Sequence, residues 1–170
     1  MTEYNQRDQR VNTQFNINIQ GYESLDSNAL LKQGIQLLEA KSYQQSIDFL
    51  STAIKVAPSL ATAYYYLALA LLKGKRPKIL QRGQIEEIDQ LLCTATTMGD
   101  SDGTLQFFRA LLRDDYYAGN RMRCPYPSVD EIISSIKPGT TSIDRLKMLL
   151  IELPMSDNQL YAKLAQQVFQ

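Results

Sequence analysis

Residues 29–58 read ALLKQGIQLLEAKSYQQSIDFLSTAIKVAP, and no stretch of the chain constrains the fold more. Two amphipathic segments flank a polar break. Gly34 in the first and Ala53 in the second lack bulk, so two antiparallel helices can approach closely there, with Leu30, Leu37 and Leu50 filling the space beside them. Ser42-Tyr43-Gln44-Gln45 has the form of a capping box that starts the second helix. Pro58 cannot continue that helix. A lone helix pair cannot bury both its faces, so further pairs are expected to stack on it.

This large–small order resembles the tetratricopeptide repeat, a helix–turn–helix module of about 34 residues. With Ser27 as position one, the large residue at four is Leu30, the small one at eight is Gly34 and the ring position at eleven is Leu37. Ser46 stands at twenty, Leu50 at twenty-four, Ala53 at twenty-seven and the closing Pro58 at thirty-two. Leu30 replaces the family's Trp, Gln33 its Leu, Leu37 its Tyr and Ser46 its Ala. Residues 61–73 repeat the first helix, with Tyr64, Leu67, Ala68 and Leu71 at positions four, seven, eight and eleven.

The resemblance implies an all-α solenoid of helix hairpins with first helices lining a concave groove. Its groove positions fall on Asn28, Leu31, Ile35, Leu38 and Glu39, and again on Thr62, Tyr65, Leu69, Leu72 and Lys73. These are mostly apolar and suit a partner helix or a greasy extended peptide. The competing reading is that the chain's own terminal segments fill the groove. One variant of the family grips acidic chaperone tails through Lys and Asn at positions where this chain has Leu31 and Ile35. Such a clamp is not expected here. Tyr64 is read as core and Tyr65 as a groove wall.

The pattern breaks at residues 74–83, an insertion of about eight residues against the repeat period. Lys73, Lys75, Arg76, Lys78 and Arg82 give it a run of cations without an acid. The run could meet phosphates or an acidic partner, or be a solvated loop balanced by Glu86, Glu87 and Asp89. Arg109, Arg113, Arg121 and Arg123 beside Tyr116 and Tyr117 form a second cationic group, diluted by Asp114 and Asp115.

Helix resumes near Gln84, with Ile88, Leu92 and Ala95 on one face. Residues 101–118 read as a degenerate third repeat with Leu105, Phe108, Leu111 and Leu112 inward. Residues 128–170 read as helices capping the open end of the stack. They are a short helix behind the capping box Ser128-Val129-Asp130-Glu131, a helix over 142–153 with residues 148–151 buried, and a last helix capped by residues 156–159. The expected organisation is an arm of residues 1–26 and one helical domain over 27–170.

The arm follows a different rule. Val11, Thr13, Phe15, Ile17 and Ile19 alternate with Asn12, Gln14, Asn16, Asn18 and Gln20, a period of two that argues strand. No later segment offers a partner strand. The arm is disordered or loosely docked, paired within an oligomer or partner, or folded onto the helices.

Lys plus Arg is 18 and Asp plus Glu is 18, a balance that gives no global pull toward nucleic acid or anionic membrane. There is no histidine, which removes the commonest general base and metal ligand. Cys93 and Cys124 lack metal-site spacing and read as reduced thiols. No apolar signal core or membrane-length run is present, so the expected compartment is the cytoplasm. The expected function is a non-catalytic protein–protein interaction module: an adaptor or scaffold, an assembly factor or a regulatory subunit, with no cofactor and no metal. Self-association through residues 11–19 is a further option, and a nucleic-acid role for the basic loop is the alternative reading.

Overall fold

The computed structural model describes residues 26–170, and every described element is helical. Eight α-helices follow in order: α1 (Ser27–Glu39), α2 (Tyr43–Val56), α3 (Ala61–Leu71), α4 (Arg82–Thr97), α5 (Thr104–Arg113), α6 (Val129–Ser134), α7 (Ile143–Glu152) and α8 (Gln159–Phe169). A short 3-10 turn covers Pro77–Ile79, and a π turn over Asp114–Ala118 extends α5. The strand expected over residues 11–19 lies outside the described residues.

Successive helices pack on each other from α1 through α6, and α7 packs on α8. Gly34 shows why the first pair comes so close. A Cβ built there would lie 2.6 Å from Leu50 Cγ, and the Gly34 carbonyl accepts a 2.7 Å hydrogen bond from the Ser46 hydroxyl. The buried Ser46 hydroxyl thus finds its acceptor on the facing helix, sharing a carbonyl that lies inside α1. Ser42 does precede α2, but its side chain makes no capping bond, so the expected capping box is absent. Caps do form at Asp26 for α1, at Gln81 and Gln84 for α4, at Ser128 and Glu131 for α6, and at Asn158 for α8. Lys41 ends α1 in the left-handed region at φ 58°, letting Ser42 N–H reach back to Leu37 O.

α3 is the axis of the core. Its sequence ATAYYYLALAL is apolar on nearly every side, and a helix of that kind must be surrounded. α2 and α4 cover two sides. Leu146, Leu149, Leu150 and Leu153, from α7 and its C-terminal edge, join the core cluster that holds Leu38, Tyr65, Leu69 and Leu72. α7 therefore inserts into the fold as well as closing its end, in line with the competing reading in which the chain's own C-terminal helices fill the groove. Within residues 148–151 the expected all-round burial does not hold. Leu149 and Leu150 are core, Met148 is half-buried and Ile151 is 65% exposed.

Polar contacts seat α7. Arg145 donates to Asp100 (2.9 Å) and Asp102 (3.1 Å), while Asp102 also accepts from the backbone N–H groups of Thr104 and Ser142. Burial alone would raise the Asp102 carboxyl, but those N–H groups and the Arg145 guanidinium hold it below the usual range. At the other end of α7, the buried Glu152 carboxylate accepts from Lys41 Nζ (3.3 Å) and the Tyr43 hydroxyl (3.0 Å). The Glu152 charge raises the Lys41 pKa, and burial raises that of Tyr43.

Candidate interaction surface

The expected groove divides into a filled part and an open part. Leu38, Tyr65, Leu69 and Leu72 are fully buried. Tyr65 meets α7 directly: its hydroxyl donates to Arg145 O at 3.2 Å, and the Arg145 guanidinium carbon lies 4.0 Å from its ring centroid. Phe108 and Tyr66 contact the same ring edge-on. Burial pushes the Tyr65 phenol far up, so it stays protonated. Those four residues are core, and the groove assignment is corrected for them. Tyr65, expected as a groove wall, is thus the more deeply buried ring, while Tyr64 packs at the edge of the same core. Tyr64 is half-buried, and its hydroxyl donates to Pro58 O at 2.7 Å. Helix phase explains the difference, since neighbours sit about 100° apart and α7 covers the side that Tyr65 faces.

Of the remaining groove positions, Asn28 and Glu39 are exposed and Leu31 is half-buried against both core clusters. Thr62 lines a polar depression with Asp100, Asp102 and Thr140. Ile35 is half-buried and faces open space. With Tyr66, Met148 and Ile151 it makes the apolar floor of a cleft of about 410 Å³ between α1 and α7. Glu39, Asp144 and Lys147 stand around it, and the Lys41–Glu152 pair closes one side. The sequence reading did not place Tyr66, Met148 or Ile151 on the groove, and it expected Met148 and Ile151 to be buried. Only the docking of α7 against α1 makes them neighbours of Ile35.

The basic loop is less free than its composition suggests. Arg76 Nη1 bonds Asp157 Oδ1 at 3.0 Å. Arg76 Nη2 and Nε hold Asp115, whose side chain is 2% exposed and also accepts from Lys78 N. Arg82 pairs with Glu86 one turn along α4. Lys73, Lys75 and Lys78 remain exposed. This loop, the π turn and the start of α8 enclose a depression of about 520 Å³, with both charge signs around it.

The second cationic group is likewise engaged. Arg109 and Arg113 share Asp89, both at 2.9 Å, and Arg113 Nη2 donates to the carbonyls of Pro125 and Pro127. Arg113 therefore pins the loop after the π turn. Tyr116 and Tyr117 are buried, so neither offers an open stacking face. Arg121 and Arg123 are exposed. Cys93 and Cys124 are half-buried free thiols, and burial raises the Cys93 pKa. Among the described residues no cluster of three or more His, Cys, Asp or Glu side chains is placed to hold a metal, and no helix is long and apolar enough to cross a membrane.

No protein-family model matches the chain. A search of curated proteins finds none similar to it.

Proposed function

We propose that this protein is a non-catalytic interaction module of tetratricopeptide type, with α1/α2 and α3/α4 as its two hairpins. It serves as an adaptor, assembly factor or regulatory subunit in the cytoplasm. It receives a partner's helix or extended peptide in the cleft between α1 and α7. The observation that carries this reading is the cleft floor, where Ile35, Tyr66 and Met148 lie half-buried and Ile151 is 65% exposed. Apolar side chains gathered in a concavity with a charged rim are what peptide-binding clefts offer. The absence of histidine from the sequence supports the non-catalytic part. The positive charge gives nucleic acid little support, because Arg76, Arg109 and Arg113 are held by buried or half-buried carboxylates of the same chain.

Affinity capture from native cell extract, with mass spectrometry of the retained proteins, tests the reading. Ile151→Asp puts a charge on the cleft floor and should weaken capture of a specific partner about tenfold or more. Ile79→Asp alters an equally exposed isoleucine outside the cleft and should leave capture unchanged. Equal loss or equal retention in both variants refutes the cleft as the binding surface.

A further inference from the structure

The two ends of the cleft differ in charge. At one end Lys41 Nζ meets the Glu152 carboxylate at 3.3 Å, so the C-terminal ends of α1 and α7 converge there. A helix C-terminus carries about half a negative elementary charge, and neither helix has a basic residue in its last turn to offset it. Lys41 and Glu152 cancel each other. Glu39, exposed in the last turn of α1, has no ion-pair partner among the described residues. This end is therefore electronegative. At the other end Asp144 and Lys147 stand one turn apart on α7 and offset each other, while Arg145 is held by Asp100 and Asp102.

The electronegative end adjoins the apolar floor. Burial raises the Tyr66 phenol, Arg145 opposes the rise and the Glu39 charge adds to it, so Glu39 lies within electrostatic reach of that ring. Ile35 precedes Glu39 by one turn of α1, and Asp144, Met148 and Ile151 follow the i, i+4, i+7 spacing of one face of α7. Such rows on two helices form a groove into which the side chains of a third helix can pack. Every described element is helical, so the cleft offers no strand edge to pair the backbone of an extended peptide. A helix satisfies its own backbone and needs none.

We infer that the partner segment taken by this cleft is an amphipathic helix that sets its apolar face on Ile35, Met148 and Ile151 and a Lys or Arg beside Glu39. The inference rests on the reading of the cleft as a peptide-binding surface. Lys and Arg suit that position because their aliphatic stems lie along an apolar floor while the charged head reaches a carboxylate.

Three labelled peptides of about four helical turns serve as probes, with Leu on one face and Lys, Gln or Glu on the other. Fluorescence anisotropy with the full chain at low ionic strength should rank them Lys over Gln over Glu, with the spread narrowing as salt is raised. Glu39→Lys should weaken binding of the Lys peptide about fivefold or more, and Glu39→Gln by a smaller factor. Glu87→Lys makes the same change in net charge at an exposed acid outside the cleft and should leave binding unchanged. Ile151→Ser should weaken all three peptides about tenfold. Circular dichroism confirms that each variant is folded. Failure of the Lys peptide to bind, or to bind better than the Glu peptide, overturns the inference. Equal loss in Glu39→Lys and Glu87→Lys also overturns it, because net charge alone would then attract the peptide. A dimer that dissociates in Ile151→Ser and excludes the peptides overturns it as well and identifies a second copy as the occupant. If Ile151→Ser weakens every peptide while Glu39→Lys changes nothing, the basic helix falls and the cleft stands. If Ile151→Ser changes nothing, the cleft itself falls as the binding surface.

Discussion

Truncating Tyr65 distinguishes a core residue from a binding residue. Its side chain is fully buried, stacked edge-on by Phe108 at 6.1 Å and by Tyr66 at 5.0 Å, and covered by the Arg145 guanidinium. Tyr65→Ala removes the ring, leaves a cavity and strips Arg145 of its aromatic platform. Aromatic-to-alanine changes in cores cost about 3–5 kcal/mol. Tyr65→Phe removes only the bond to Arg145 O and should cost about 1 kcal/mol. Urea unfolding followed by far-ultraviolet circular dichroism reads both, with the slope unchanged and the midpoint lowered. A melt should follow, since each 1 kcal/mol lowers Tm by about 2–4 °C in a domain of this size. Wild-type stability in Tyr65→Ala, together with lost partner capture, would refute the reasoning. It would mean that α7 does not cover this face in solution and that the ring is a binding anchor.

Three other outcomes follow from the packing. Gly34→Ala places a methyl against Leu50 Cγ inside the α1–α2 contact and should cost about 1–3 kcal/mol in urea unfolding, with Gly34→Leu worse; equal midpoints would mean that the helices can move apart freely. Lys75→Ser and Lys78→Ser should be neutral in thermal melts, but Arg76→Ser leaves the Asp115 carboxylate buried without its cation and should cost roughly 3 kcal/mol, while a neutral Arg76→Ser would show that Lys78 N–H suffices for it. The Asp102 carboxyl is depressed in the folded state, so its contribution is present above the unfolded value of about pH 4 and is lost as pH falls through the lower folded value. The stability gap between wild type and Asp102→Asn should therefore narrow on acidification below about pH 4, and a gap constant with pH would show that the charge of Asp102 is not what matters.

The sequence by itself determined the helices and the first hairpin. Apolar spacing, the small residues Gly34 and Ala53, and breakers such as Pro58 and Pro154 act over one or two turns, so they can be read from neighbours in the chain. α1 through α4 and the last two helices fall close to where that local chemistry places them. Ser42 is an instructive exception. The residue pattern of a capping box was present, but forming the bond depends on a side-chain rotamer that the pattern does not fix.

Tertiary structure alone decided what α3 faces. Tyr64 and Tyr65 are adjacent in a helix with apolar residues on every side, so its amphipathic pattern carries almost no direction. The docking of α7 chose Tyr65 for the core and left Tyr64 to bond Pro58. The same docking turned most of a presumed groove into core and made a smaller cleft from Ile35, Tyr66, Met148 and Ile151. The packing of α5 on α4 assigned Arg109 and Arg113 to Asp89, and that of the basic loop on the π turn assigned Arg76 to Asp115, where composition showed only cationic clusters. Each of these outcomes depends on which distant surface comes to lie against a helix, and local periodicity describes only the helix.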